Sequence, residues 1–600
     1  MTSLPPWAEA MRRAYRSGSH CQFLIHGNVH DLVPLSTADG PEYVSLRRFL
    51  TEAMFAPFDA VIHYDRGRGI RVRKGGDHFH RFLKVFDTFR GTSWAALPDQ
   101  AAEAVATLDL SNQLPRDPKQ ALEILDRFLR AAQHRTVAKP QGEGRKPAPL
   151  AVAVIVDYAH FVVPRGEPIH FSGDLSQILI RLLDWGSDPS LTGANVATVL
   201  ITEGLADVNE DLVESPYTEK IQIPLPAGEA IRDYVLDLTA DESAFDEACE
   251  VDRETLAAKL VGLSLVGVRG LILRALRGGE PITAAYLSRT KKETIEKEAM
   301  GRISFLESQR TLDDVAGHEE AIEWLRQDAE LLRRNRLRAI PMGYLLCGRI
   351  GTGKTFLVEC WAGEVGVPVV EIKNFREKWV GATEANLEKV FQILHALGQV
   401  IVFVDEADQA TGRRDAGSGD SGLSGRIYGM LAREMSDTAN RGKIVWVFAT
   451  SRPDLVEVDL KRQGRLDVHI PLFPPGEPKS RKDLFWAMSR KLGLGIPRDE
   501  LPDPPDNEQV GGNEMEGILV RALRLFETQP EEGEQKALPQ IIAEVLEDFR
   551  PSAHVERLAL MDLLAVKECT DSRFLPPRFR TLALGEVNRR IEELKRRLGD

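Results

Sequence analysis

The chain repeats itself at long range. The stretch AVAVIVDYAHFVVPRG, carrying Asp157, returns in outline as GQVIVFVDEADQATGRR, carrying Asp405. Thr202 follows Asp157 by 45 residues, and Thr450 follows Asp405 by the same 45. Pro224 in IQIPLP and Pro471 in VHIPLF stand at +67 and +66, and Gly270 of GLILRAL and Gly517 of GILVRAL at +113 and +112. Four anchors held in register over more than a hundred residues imply two modules of one duplicated fold. Short β-rich apolar runs alternate with amphipathic stretches, which predicts an α/β class. The candidates for buried parallel strands are 151–156, 199–201, 344–346, 400–404 and 444–448.

Around this frame the sequence reads as globular. Its 600 residues are 43% hydrophobic and 28% charged, enough for several domains. No apolar run approaches the ~20 residues of a membrane helix, and the first twenty residues lack the apolar core of a secretory signal. Cys21, Cys249, Cys347, Cys360 and Cys569 form no CxxC pair, which fits a reduced cytoplasm and no disulfide or zinc framework. A net charge of -13 argues against nucleic acid as a partner. Residues 139–149, 411–425 and 501–512 read as loops from their Pro, Gly, Ser and charge content. A charged helix over 288–309 joins the halves, and 584–598 reads as a charged amphipathic terminal helix.

Chemistry concentrates at 348–355, GRIGTGKT, which fits GxxxxGK[ST] between a strand-like and a helix-like segment. Glycines there let backbone N–H groups curl around phosphate oxygens, and the following helix adds its N-terminal dipole. Lys354 is expected to reach the β- and γ-phosphates of ATP and Thr355 to ligate Mg²⁺. The apolar strand 400–404 ends in Asp405, an expected metal-holding carboxylate, and Glu406, placed to polarise the attacking water. Residues 405–408 also spell DEAD. Only 51 residues separate Lys354 from Asp405, far less than in helicases of that name.

These residues together resemble the AAA subgroup of AAA+ ATPases, the group of protein-unfolding segregases. TLDDVAGHEEA at 311–321 is similar to the family's opening segment, which implies that Asp314, Val315 and Gly317 lie beside the adenine. The nucleotide is further expected on Gly348, Arg349, Ile350, Gly351, Thr352, Gly353 and Phe356. EKWVGATEANLEKVF at 377–391 resembles the first pore loop, so Trp379 and Val380 would grip a protein chain. ATSRPDLVEVDLKRQGRLDVHIPL at 449–472 resembles the second region of homology. Arg462 and Arg465 would then be arginine fingers reaching a neighbour's γ-phosphate, and Ser451 stands where the family has a sensor Asn. The lid segment lacks a sensor arginine, as is usual in this subgroup. The whole chain looks most like cyanobacterial, plastid and bacterial AAA-family ATPases with one degenerate and one active module.

The resemblance divides the chain into a degenerate module (1–285), a linker (286–310), an active large subdomain (311–475), a helical lid (476–567) and a helical tail (568–600). Each module is expected to carry a helical lid. In the first module, 23–33 stands in the phosphate-loop place without GK[ST], Tyr158 replaces the glutamate, and an insertion of about seventy residues precedes Asp157. His78 with His80 and His26 with His30 read as structural, and Arg413 with Arg414 as loop residues that either line a pore or are solvated. The expected activity is ATP hydrolysis by a homo-oligomeric ring, by resemblance a hexamer, that remodels, unfolds or threads an unnamed protein substrate. A slow nucleotide-gated assembly scaffold and a nucleic-acid motor are the rival readings.

Overall fold

A computed structural model describes residues 4–37, 40–95, 114–134, 136–137, 148–166, 172–240, 245, 249–373, 383–408, 421–505, 510–529, 535–550 and 554–599. The chain divides into two units, 1–294 with 384–396, and 295–383 with 397–600.

The first unit is built on a six-stranded sheet in the order Thr218–Ile223, Gln22–Gly27, Val196–Ile201, Val152–Val156, Ala60–Asp65, Gly69–Lys74. The first five strands are parallel and Gly69–Lys74 closes the edge antiparallel. Ranked by position in the chain, the five parallel strands lie 5-1-4-3-2. Side chains alternate between two cores. Phe23, Ile25, Val61, Ala153, Ile155 and Val199 face one, while Leu24, Ile62, Tyr64, Val154, Val156 and Leu200 face the other. A sheet covered on both faces explains why these strands read as unbroken apolar runs.

The second unit repeats the plan. Its sheet runs Ile303–Phe305, Val369–Ile372, Val400–Val404, Ile444–Thr450, Gly343–Cys347, Val468–Pro471. Its five parallel strands again lie 5-1-4-3-2, and the antiparallel edge strand is supplied by Ile303–Phe305. The tandem α/β modules expected from the sequence repeat are therefore present in the fold.

The duplicated backbone survives in detail. The residue after each anchor aspartate has positive φ although neither is glycine: Tyr158 at 53° and Glu406 at 48°. A glycine at or just after the end of each first strand presses against the end of the fifth. A Cβ on Gly27 would lie 2.5 Å from the Ile223 carbonyl oxygen, and one on Gly348 would lie 2.2 Å from that of Leu472. Only glycine permits that approach.

The units diverge after the first strand. The second turns directly into helix Lys354–Val365. The first inserts a hairpin, Leu32–Thr37 with Gly40–Ser45, and a helical turn Leu46–Phe49. Helices Gly76–Arg90 and Pro118–Gln133 account for further length before Asp157. Helices Gly228–Leu238, Arg253–Lys259 and Leu265–Gly278 follow the first sheet. Helices Pro478–Lys491, Gly512–Glu527 and Leu538–Glu547 follow the second, around Phe485, Leu519 and Ile542. Helix Val555–Glu568 packs on helix Leu584–Leu598 and on strand Val468–Pro471.

In the first unit the anchor carboxylate is already neutralised. Asp157 is fully buried, with Arg47 Nε at 2.9 Å, His63 Nδ1 at 3.5 Å and Arg71 Nη2 at 3.8 Å. Asp157→Ala would leave two guanidinium groups without that partner. It should lower the unfolding free energy of this unit by ~3–5 kcal/mol, read as an earlier transition in denaturant melts of the full chain.

Candidate functional site

The site gathers where the strands of the second unit end. Gly348, Gly351 and Gly353 take φ of 156°, 82° and 83°, conformations that favour glycine, and between them the loop curls to the first turn of helix Lys354–Val365. Its N–H groups and the helix N-terminus form a concave donor surface suited to phosphate. Lys354 Nζ folds over the loop and donates to the carbonyls of Gly348 at 2.8 Å and Arg349 at 3.1 Å. Burial pulls its ammonium below the ordinary lysine value, and Asp405 opposes that pull.

Thr355 and Asp405, fifty residues apart, meet: the Thr355 hydroxyl donates to Asp405 Oδ2 at 2.7 Å. The other oxygen of Asp405 accepts the Glu406 N–H at 2.8 Å, and the positive φ of Glu406 turns the chain at the strand end. A hydroxyl and a carboxylate side by side are hard oxygen donors of the kind Mg²⁺ takes, so the residues fit that ion.

The repeat anchor Thr450 also has a role that the sequence left open. Fully buried, it donates to Asp408 Oδ1 at 2.6 Å and accepts the Arg452 N–H at 3.0 Å. The first unit keeps the pairing at the same register, with His160 Nδ1 3.2 Å from the Thr202 hydroxyl. In the sequence Asp408 is only the last residue of the DEAD string. Ser451 follows Thr450, half-buried, where the strand ends.

A cleft opens beside the loop. Asp314, Val315, Gly351, Thr352, Gly353 and Phe356 line it, as do His318, Phe473, Pro474, Leu484, Met488 and Asn513. The second group went unnoticed in the sequence because its members come from four separated segments with no shared spacing. Gly317, with φ of 78°, precedes His318 rather than lining this cleft. Burial lowers the His318 pKa, and its ring is hydrogen-bonded to the Thr352 backbone. The Gly512 N–H donates to the Gly351 carbonyl at 3.0 Å, which docks helix Gly512–Glu527 onto the loop.

Four expected residues behave differently from the rest. Ile350 is 59% exposed, whereas Arg349 turns inward at 4% and faces Asp562. Arg462 and Arg465 do not line the cleft. Arg462 Nη1 pairs with Asp459 at 3.0 Å, and Arg465 Nη1 donates to the Asp459 carbonyl at 2.7 Å, both on the exposed side. Trp379 and Val380, with Arg413 and Arg414, lie outside the described residues.

The matching cleft of the first unit holds His30, Arg47, Asp157, Tyr158, His160 and Thr202. Arg47 takes the place on Asp157 that Thr355 takes on Asp405, and its guanidinium also sits 5.0 Å over the Tyr158 ring.

Comparison with known proteins agrees with this layout. Residues 1–224 match the AAA+ chaperone N-terminal Rossmann-like domain, 231–300 the AAA+ chaperone second helical domain, and 344–473 the ATPase family associated with various cellular activities (AAA). The chain thus joins the N-terminal and second helical domains of AAA+ chaperones to an AAA ATPase domain. It is 25% identical over 439 residues to a cell division cycle protein 48 homolog of Archaeoglobus fulgidus, covering 68% of this chain and 58% of that protein. It is 38% identical over 224 residues to ATP-dependent zinc metalloprotease FtsH 1 of Salinibacter ruber, covering 36% and 32%. The chain therefore spans less than two thirds of either relative. Among the described residues, no helix is long and apolar enough to cross a membrane.

Gly348→Ala tests the loop geometry. Its methyl group would enter the Leu472 carbonyl, so the loop and the fifth strand must part. The variant should lose nucleotide binding and ~1–3 kcal/mol of stability, the range for enforced backbone strain, measured by MgATP titration and thermal melting.

Proposed function

We propose that this protein is an ATPase that hydrolyses ATP at the second unit and uses the cycle, in a ring of its own copies, to remodel or thread protein substrates. The observation that carries the reading is the Thr355–Asp405 contact at 2.7 Å beside Glu406, at the mouth of a glycine-rich phosphate loop. Thr355 and Asp405 would hold Mg²⁺, which would neutralise phosphate charge. Lys354 would leave its loop carbonyls for the β- and γ-phosphates, a short swing for a flexible four-carbon stem. Glu406 would orient a water in line with the γ-phosphate and take its proton. Val315, Phe356, Phe473 and Met488 give the base an apolar wall, and Asp314 a polar edge.

Arg462 and Arg465 stand apart from the cleft of their own unit. That supports a site completed by a neighbouring copy, and so a ring; the resemblance gives six subunits and a cytoplasmic setting. Trp379 and Val380 are the proposed grip on substrate, and the first unit a tier that stabilises the ring without turnover. The Salinibacter ruber relative is named an ATP-dependent zinc metalloprotease, which supports ATP dependence and action on protein. The acidic charge disfavours a nucleic-acid motor.

Glu406→Gln should bind MgATP and lose steady-state phosphate release by ~10²-fold or more, while Lys354→Ala should fail to bind. Turnover of Glu406→Gln at the wild-type rate would refute the assignment. Arg465→Ala should bind ATP and be nearly inactive alone. Mixed with Lys354→Ala subunits it should recover part of the rate, since some interfaces then hold one intact loop and one intact finger. Verified mixed rings without recovery would exclude a shared site.

A further inference from the structure

The second residue of the phosphate loop does not face the cleft. Arg349 is 4% exposed, and its Nη1 lies 3.5 Å from Asp562 Oδ2 on helix Val555–Glu568. Asp562 is 8% exposed, and among the described residues its Oδ1 has no hydrogen-bond partner. Burial drives its carboxyl up to about 6 and lowers the Arg349 guanidinium, each opposed by the other's charge; the Arg578 guanidinium is lowered by burial and by Arg349. A buried pair of this kind contributes little net stability, since desolvation offsets the attraction. What it fixes is position.

Arg349 is also the hub of the loop backbone. Its carbonyl accepts from Lys354 Nζ at 3.1 Å and from the Thr352 hydroxyl at 2.9 Å. The same helix grips other parts of the site's support. Cys347, the last residue of the strand feeding the loop, places its thiol 3.9 Å from the Ala565 carbonyl. Glu568 takes the Lys461 ammonium at 2.6 Å, next to Arg462, and its carbonyl meets His469 Nδ1 at 2.9 Å. Asp562 and Glu568 are six residues, or about 9 Å, apart on one helix. One rigid rod thus touches both the phosphate loop and the segment that carries Arg462 and Arg465.

We propose that Asp562 is a positioning residue for ATP binding: from helix Val555–Glu568 it holds Arg349, and through the Arg349 backbone it sets the curl of the phosphate loop. The inference rests on the reading of 348–355 as the nucleotide site. Loss of this partner weakens the hold on Arg349 in its buried position, and the loop donors then spread away from the phosphate. Misplacement of this order lowers affinity without touching Glu406, so it acts on KM more than on kcat.

The test compares the wild type, Lys354→Ala, Asp562→Asn and the double variant Arg349→Met/Asp562→Leu in the full chain, by MgATP binding, steady-state phosphate release and nucleotide-free melting. The double variant removes both buried charges and keeps the volume, so it should melt at or above the wild-type temperature. We expect both Asp562 variants to raise KM for MgATP about tenfold or more, with kcat within about threefold. A folded double variant with wild-type KM and MgATP affinity would overturn the role. Should the double variant not fold, Asp562→Asn decides by the same KM and kcat split, and an unchanged KM there is equally fatal. Wild type that does not bind MgATP, or Lys354→Ala that binds as well as wild type, would overturn the nucleotide-site reading and this inference with it. Unchanged Asp562 variants beside a normal wild type and a non-binding Lys354→Ala would overturn this inference alone.

Discussion

A carboxylate at the C-terminal end of a central parallel strand must be matched by something, because the strand that carries it is buried on both faces. In the two halves of this protein that demand is met in opposite ways. Asp405 faces a threonine hydroxyl from the phosphate loop, which leaves its charge available to a cation. Asp157 is enclosed by Arg47, His63 and Arg71. The hydroxyl arrangement leaves a site able to gain a charged ligand. The guanidinium arrangement supplies the cation from the chain itself and turns the same strand end into a structural ion cluster.

The rest of each unit follows from that choice. Where Asp405 needs a loop bearing Thr355, the first strand passes directly into a glycine-rich turn and a helix. Where Asp157 needs Arg47, the chain inserts a hairpin and brings in a short helical turn bearing the arginine. The glycines at or just past the first strand end, Gly27 and Gly348, persist in both, since the approach to the end of the fifth strand is a packing requirement independent of chemistry. The positive φ of Tyr158 shows the backbone turn likewise kept after the glutamate has gone.

Support for the second site comes from far along the chain. Arg349 is anchored by Asp562, Cys347 lies against Ala565, and Lys461 is held by Glu568. A phosphate loop rich in glycine has little stiffness of its own, since each glycine adds backbone freedom. A helix docked beneath it supplies the rigidity that binding requires, and it does so outside the motif by which such loops are identified.

The sequence by itself determined the two modules, the strand candidates, the phosphate loop and the Asp405–Glu406 pair, because their chemistry depends on residues at fixed local spacing or on repeats in register. It also showed that Tyr158 stands where a glutamate would be needed. Only the tertiary structure decided what lies beside each of them. Arg47 meets Asp157 across 110 residues, and Arg349 meets Asp562 across 213. Phe473, Met488 and Asn513 converge with His318 on one cleft from four segments. Such contacts leave no periodic trace in a chain, since they follow from how sheet, helices and loop pack. Whether an arginine is a ligand, a lock or a strut depends on which carboxylate that packing sets within a few ångströms of it.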